Sequence, residues 1–480
     1  MWSDRLAPSS RQAFVEGLHH VLAAPRPDRP SYAAGLSWDG EAIDGGAALW
    51  AQRHFLWLDQ PPAARLAVDP VARLTVTDGM ATIQGPNRKV SVETGGFDLV
   101  EAALEAWGGP SEAMLAGYLG YELGCEIEDV VTPERRVGDP PDLDLRLYDW
   151  WLELGPRGWR FHGTEAWRDV GPKRAEALLR RHRPVYRQQR ARRSIWRTPS
   201  DQDFCGAVAR TVDRIGRGEL FQVNLCRRLE AALPASSIWP LYLRLRAISP
   251  ASQGAVMRTG SESAVLSVSP ELFVRVRRGR VHSCPIKGTR PRGCTPEEDR
   301  ALRSALAGSE KDQAELAMIV DVTRNDLGRV CAAGSVEVTR HAELMPLPTV
   351  QHTYSEVSGR LRAGCGPADL LRACFPPASI TGAPKIRAME LAALEEGYRR
   401  GPAMGSIGWI SLDGDMEWSV AIRTAVAAEG RIWYLAGCGI TAKSVPEEEL
   451  AESDVKAAAF LEALSGLSGL PGKESIRSKG

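Results

Sequence analysis

The sequence predicts a mixed helix-and-sheet protein with antiparallel strands and more than one hydrophobic core, and three observations carry that reading. Residues 1–165 hold short alternating apolar runs, such as Arg65-Leu66-Ala67-Val68 and Arg73-Leu74-Thr75-Val76-Thr77, separated by turn signals such as Asp78-Gly79. From Asp201 onward helical and strand-like segments alternate: a helix to Gly216, a strand over 220–225, and a hairpin from Ala264 to Ile286 turning near Gly279. The chain has 480 residues, well beyond the roughly 250–300 at which single cores stop growing.

The expected organisation is a sheet-rich region over 1–165, a basic linker over 166–200, a catalytic domain over 201–464 and a Gly-, Ser- and Lys-rich tail over 465–480. Gly117-Tyr118-Leu119-Gly120-Tyr121-Glu122-Leu123-Gly124 reads as a packing or turn element. Ten Lys or Arg residues against one acid, Glu176, lie between Lys173 and Arg197. Such a run reads as a solvated helix and connection rather than a nucleic-acid surface.

Sixty basic and sixty acidic side chains cancel, so an anionic substrate must be captured by a few focused residues and not by a global field. Nine scattered cysteines without a C-x-x-C pair suit reduced thiols and argue against a disulfide framework or a zinc finger. The first residues, Met1-Trp2-Ser3-Asp4-Arg5, lack a basic and apolar leader, and no apolar run is long enough to span a membrane, so a cytoplasmic protein is expected.

Chemistry concentrates after residue 218. Ser309-Glu310-Lys311-Asp312 has a capping pattern that opens a helix to about Leu327, and Glu315 shares its face with Met318, Ile319 and Val322. A carboxylate on an apolar stripe is costly unless it is paired or metal-bound. A second helix starts near Ser444 and Pro446, and there Glu449, Glu452 and Lys456 share one face. Two such carboxylates suit either one hard cation or an acidic first turn facing solvent. Lys287 follows an apolar strand in Pro285-Ile286-Lys287-Gly288-Thr289 and projects into a glycine-lined turn, as a nucleophile or as an ordinary loop lysine.

Together these segments resemble the chorismate-utilising enzymes: anthranilate synthase component I, aminodeoxychorismate synthase component I, and the isochorismate and salicylate synthases. The resemblance rests on Gly218-Glu219-Leu220-Phe221-Gln222-Val223-Asn224-Leu225, Ser269-Pro270-Glu271, the Lys287 motif, Ala314-Glu315-Leu316-Ala317, Arg324-Asn325-Asp326, Ser379-Ile380-Thr381-Gly382-Ala383-Pro384-Lys385, Ala421-Ile422-Arg423-Thr424 and Gly437-Cys438-Gly439-Ile440, in family order. It implies an α+β fold in which large antiparallel β-sheets pack as a sandwich flanked by helices. It also implies that Glu315 and Glu452, with Glu449 close by, hold Mg2+ on the ring carboxylate of chorismate. Arg423, aided by the backbone around Gly437 and Gly439, is implied as the anchor of the enolpyruvyl carboxylate. His352, Thr381 and Lys456 are implied as further pocket residues.

Two positions divide the family. Where isochorismate and salicylate synthases carry a water-activating lysine, this chain has Gln222, which disfavours water as the nucleophile. Anthranilate synthases usually read Pro-Ile-Ala-Gly-Thr where this chain has Lys287, as many aminodeoxychorismate synthases do. The resemblance therefore implies amination at C4 through a Lys287 adduct at C2, with Glu271 as general acid and then base. Anthranilate synthase component I, or an aminodeoxyisochorismate synthase aminating C2, is the alternative. No glutaminase segment is recognisable, so a separate glutamine amidotransferase subunit is expected to supply ammonia. Ala403, Lys443, Leu450 and Glu417 depart from common family residues, and the Phe55–Gln60 stretch, residues 55–60, does not imply tryptophan regulation.

Overall fold

The computed structural model describes residues 31–37, 41–52, 54–108, 112–180, 194–346 and 350–467. Residues 181–193 of the expected linker and 468–480 of the expected tail lie outside them. Two 12-stranded sheets, antiparallel at every pairing, form the body of the protein. The first runs from Ser31–Gly35 at one edge through Leu56–Gln60, Gln253–Arg258, Ala264–Ser269, Thr424–Ala428, Arg431–Ile440 and Gln222–Ala232 to Ile195–Thr198 at the other. The second runs from Ile286–Pro291 and Val350–Arg360 through Leu272–Arg277, Met416–Val420, Ser406–Ser411 and Met114–Leu119 to Lys89–Glu93.

The α+β sandwich is what the residue alternation builds. One buried cluster joins Leu56, Leu58 and Met257 of the first sheet to Met114, Tyr118 and Ile407 of the second, so these faces meet. Residues of opposite parity point outward: Trp57, Leu66 and Val256 pack with Trp239, Tyr242 and Phe460 of the helices Ile238–Ile248 and Pro446–Gly466. On the far side of the second sheet, Leu115, Leu145 and Val276 pack with the helices Gly96–Trp107, Glu310–Gly328 and Pro367–Cys374. The expected Gly117–Gly124 packing element, residues 117–124, is the end of a buried strand followed by the helix Leu123–Glu128.

The N-terminal and C-terminal segments are interleaved in space. Gln253–Arg258 pairs with Leu56–Gln60, and Ser406–Ser411 with Met114–Leu119, so the division at 165 and 200 runs along the chain and both parts supply both sheets. Within 166–200, the helix Gly171–Leu179 buries Ala175, Leu178 and Leu179, and Ile195–Thr198 is an edge strand on Gln222–Ala232. Among the described residues no helix is long and apolar enough to cross a membrane.

The chain passes between the sheets twice near one end of the sandwich. It leaves the first sheet at Ser269 and enters the second at Leu272; it leaves the second at Val420 and re-enters the first at Thr424. The two crossings are tied together. Ser269 Oγ donates to the Val420 carbonyl at 2.5 Å, Val420 N–H donates to the Glu271 carbonyl at 3.0 Å, and Val268 N–H donates to the Arg423 carbonyl at 3.1 Å. Ser269 Oγ also accepts from Glu271 N–H at 3.2 Å. Ser269→Ala strips a fully buried hydroxyl from both backbone groups and should destabilise by about 1–3 kcal/mol, read as a lowered thermal midpoint of the purified protein; an unchanged midpoint would show that other bonds hold the crossings.

Candidate active site

The two crossings carry Glu271 and Arg423, and neighbouring elements bring the other candidates to the same end of the sandwich. The first helix spans Glu310–Gly328, as its capping pattern predicts: Ser309 Oγ accepts from the Asp312 N–H. The second spans Pro446–Gly466, with proline in its first turn and Glu447, Glu448 and Glu449 placed where the helix dipole favours anions. One helical turn separates Glu449 from Glu452. A carboxylate oxygen from each, with the Cys438 sulfur, lies within 4.8 Å of the others.

Glu449 is buried. Its Oε1 accepts from the Ser444 hydroxyl at 2.7 Å and from Lys311 at 3.4 Å, while Oε2 is buried with no hydrogen-bond partner among the described residues. A buried carboxylate oxygen without a partner is costly, and a hard cation is a suitable partner for it. Glu452 forms an ion pair with Lys456 at 2.6 Å, and Lys456 also donates to the Gly437 carbonyl at 2.8 Å. Burial works against the ionised form of Glu452, but Lys456 outweighs it and the carboxyl is held below its ordinary range.

Glu315 lies outside the Cys438, Glu449 and Glu452 group. It receives Lys287 Nζ at 3.8 Å and Gln222 Nε2 at 3.4 Å. Burial raises its carboxyl, against the pull of Lys287 and Lys311. Lys311 has Glu449, Glu315 and Glu452 all within electrostatic reach, and despite burial they raise its pKa. Three carboxylates thus meet three ammonium groups, Lys287, Lys311 and Lys456. The donor set fits magnesium, with Glu449 and Glu452 offering oxygens to one ion and Glu315 facing the same space.

Lys287 is not on a turn, contrary to the expectation from its glycine-rich context. Its strand, Ile286–Pro291, continues as an edge of the second sheet against Val350–Arg360, and the register shifts between Lys287 and Thr289. Gly288, at φ +76°, takes up that bulge in a conformation that side chains other than glycine rarely adopt. The side chain points inward instead of into solvent. Gly439 marks the centre of the group: a Cβ there would stand 2.4 Å from Gln222 Nε2, 3.4 Å from Glu315 Oε2 and 3.5 Å from Lys287 Nζ.

Glu271 is buried at the first crossing, and burial pushes its carboxyl up to about 7, against the Ser379 hydroxyl, the Lys287 charge and the Ile286 amide. A small cavity of about 20 Å³ borders it on the side of Thr323, Asp326 and Ser379. Arg423, at the second crossing, has φ +50°, an unusual conformation for a residue other than glycine. Its Nη1 donates to the Ser249 hydroxyl at 3.4 Å, and among the described residues it has no carboxylate partner. A largely desolvated guanidinium with a free fork suits a carboxylate ligand. His352 is buried beside it; Nδ1 faces Thr289 Oγ1 at 2.8 Å and Nε2 has no hydrogen-bond partner among the described residues. Burial and the Arg423 charge pull this histidine down to about 4, which keeps the ring neutral.

Other expected residues hold the wall of the site. The Thr381 hydroxyl turns to the Pro377 and Ala378 carbonyls, at 3.0 and 3.2 Å, while its own carbonyl accepts from Asn224 N–H. Sequence reasoning missed Lys311, Cys438 and Arg400. Arg400 is buried 20 residues from the 380 loop, and donates to the Ile380 carbonyl at 2.9 Å, the Asn224 carbonyl at 2.6 Å and Glu396 at 2.6 Å, clamping that loop to the Gln222–Ala232 strand. Glu396, four residues before Arg400, was the available signal.

Residues 52–462 match the family model described as chorismate binding enzyme. The chain belongs to that family. Among its relatives, aminodeoxychorismate synthase component 1 of Klebsiella aerogenes is 39% identical over 337 residues, 70% of this chain and 73% of the relative. Anthranilate synthase component 1 of Acetivibrio thermocellus is 38% identical over 279 residues, 58% of this chain and 56% of the relative. The crystal structure of anthranilate synthase component I from Streptococcus pneumoniae TIGR4 shares the fold, with a TM-score of 0.73 at 24% identity, over 95% of this chain and 98% of that one. Membership makes the protein a chorismate-utilising enzyme, as expected from its motifs. Gly439→Ala should overpack the centre of the site by about 1–3 kcal/mol, lowering kcat/KM for chorismate roughly 5- to 150-fold with circular dichroism unchanged; wild-type turnover would show that chorismate binds elsewhere.

Proposed function

We propose that this protein is an aminodeoxychorismate synthase component 1, which replaces the C4 hydroxyl of chorismate with ammonia to give 4-amino-4-deoxychorismate for para-aminobenzoate and folate synthesis. The observation that carries the reading is Lys287 held inward on a strand beside Glu315 and Gln222, within electrostatic reach of Glu271. Relatives of that name at 37–39% identity over 70–74% of this chain support it. Gln222 offers no ammonium or imidazole base to activate water.

Arg423 takes the enolpyruvyl carboxylate, with neutral His352 offering its Nε2 nearby. Glu449 and Glu452, with Glu315 nearby, would hold Mg2+, which would supply positive charge to the ring carboxylate and help orient the ring. Lys287, as the free amine, forms a C–N bond at C2 while both ring double bonds shift and the C4–O bond breaks. Glu271 gives the departing hydroxyl its proton, so water leaves, and the nitrogen on C2 keeps its proton as a cationic ammonium, ready to depart as a neutral amine. Ammonia then attacks C4, both double bonds return, and Lys287 departs as a neutral amine with its electron pair. Glu271, now a carboxylate, takes the surplus proton from the C4 ammonium. A carboxyl near 7 suits both directions of transfer. A separate glutamine amidotransferase subunit, component II, supplies the ammonia.

Lys287→Ala should lower aminodeoxychorismate formation at least 100-fold, a loss of roughly 3 kcal/mol of barrier lowering, and product chromatography should show anthranilate-type amination at C2 if ammonia reaches that carbon. Unchanged rate and product would remove Lys287 from the chemistry. Anthranilate made by the wild type would sink the proposed activity. Because Glu271 must begin each turnover protonated, kcat/KM should fall as pH rises through about 7, and Glu271→Gln should abolish that limb along with most of the rate; a profile flat from pH 6 to 8 would assign the proton to another group.

A further inference from the structure

We propose that Cys438, Glu449 and Glu452 form a site for a thiophilic divalent cation of the zinc class, whose occupation blocks the enzyme. The pairing of Arg431–Ile440 with Gln222–Ala232 sets Cys438 opposite Leu225, and its thiol faces the helix Pro446–Gly466, donating to the Glu449 carbonyl at 3.3 Å. Sulfur and one oxygen from each carboxylate stand within 4.8 Å of one another. A tetrahedral zinc, with bonds of about 2.3 Å to sulfur and 2.0–2.2 Å to oxygen, needs these donors only modestly closer.

A second feature points to a ligand independently of the thiol. Glu449 is 2% exposed, and while Ser444 and Lys311 meet its Oε1, its Oε2 has no hydrogen-bond partner among the described residues. Lys311 and Lys456 reach the other carboxylate oxygens, and a doubly charged ion with three donors displaces them more readily than a single ammonium would. Magnesium gains little from sulfur, whereas zinc and cadmium prefer it. Binding forms one metal–sulfur and two metal–oxygen bonds, releases the thiol proton to solvent and leaves a fourth position for water. Glu449 and Glu452 are then consumed, and a hard cation cannot use them.

This goes beyond the proposed reaction, since it needs neither chorismate nor ammonia. The test is titration of the chelator-stripped full chain with Cd2+ alone, followed by the sulfur-to-cadmium charge-transfer absorption. One saturating equivalent is expected in the wild type and is lost in the near-isosteric Cys438→Ser; identical spectra would overturn the site. Glu452→Gln, at the more exposed ligand, should weaken cadmium binding at least tenfold while the band remains, and unchanged affinity would also overturn it. Zn2+ should inhibit chorismate turnover at saturating Mg2+ at least tenfold more strongly in the wild type than in Cys438→Ser. A chain that shows the cadmium band but makes no aminodeoxychorismate loses the proposed activity alone; one that turns over without the band loses the site alone.

Discussion

The hydrogen bonds that tie the two sheet crossings together are the constraint on which the site depends. Ser269, Val420, Glu271 and Arg423 exchange backbone and hydroxyl contacts across that junction, so the buried acid and the buried guanidinium are fixed relative to each other before any ligand arrives. Neither side chain could be held there by a loop alone. Crossing from one sheet to the other forces the backbone out of its ladder, and the cost appears as the left-handed φ of Arg423. The sheets absorb it, because each crossing strand is anchored on both sides by long antiparallel pairings.

Charge balance is the second constraint. Glu315, Glu449 and Glu452 on two helices would repel one another in a partly dry space, and Lys287, Lys311 and Lys456 offset that repulsion. The lysines are not equivalent. Lys456 is pinned between Glu452 and the Gly437 carbonyl, which makes it a brace for the helix on the strand. Lys311 lies on the solvent side and can swing away. Lys287 is held only at 3.8 Å by Glu315 and stands at the centre, so it is the ammonium whose attachment is weakest and whose position is most useful.

Much of this was legible in the sequence, and the reasons differ by residue. Helix starts at Ser309 and Pro446 follow local capping chemistry, so Glu315, Glu449 and Glu452 could be placed on faces before the fold was known. Glu271, Arg423 and His352 could not be derived that way, because they meet only through sheet-to-sheet topology; family motifs supplied them. Lys287 was misplaced locally: Gly288 suggests a turn by composition, yet the strand continues through a bulge because Val350–Arg360 provides its ladder. Cys438 and Lys311 stood inside motifs without a role of their own, since a single thiol and a helix lysine carry no spacing signal. Arg400 pairs with Glu396 at an i, i+4 offset common on exposed helix surfaces, whereas this pair is buried under the site wall, which the spacing alone does not show.

Family membership and product identity therefore rest on different parts of the molecule. The sandwich fold is shared with an anthranilate synthase structure at 24% identity, so the fold by itself does not select which carbon is aminated. That choice falls to side chains that project into a common space from rigid elements. Gln222 and Gly439 sit on paired strands, and Lys287 lies on the facing sheet edge, with the glycine leaving room for the other two to approach. In the proposed reaction, a lysine at 287 and an amide at 222 would change the nucleophile presented to C2 without disturbing the acid or the carboxylate anchor. In the proposed reaction the geometry separates binding from regiochemistry: the crossings would carry the anchor and the acid, and one edge-strand side chain would decide where the new bond begins.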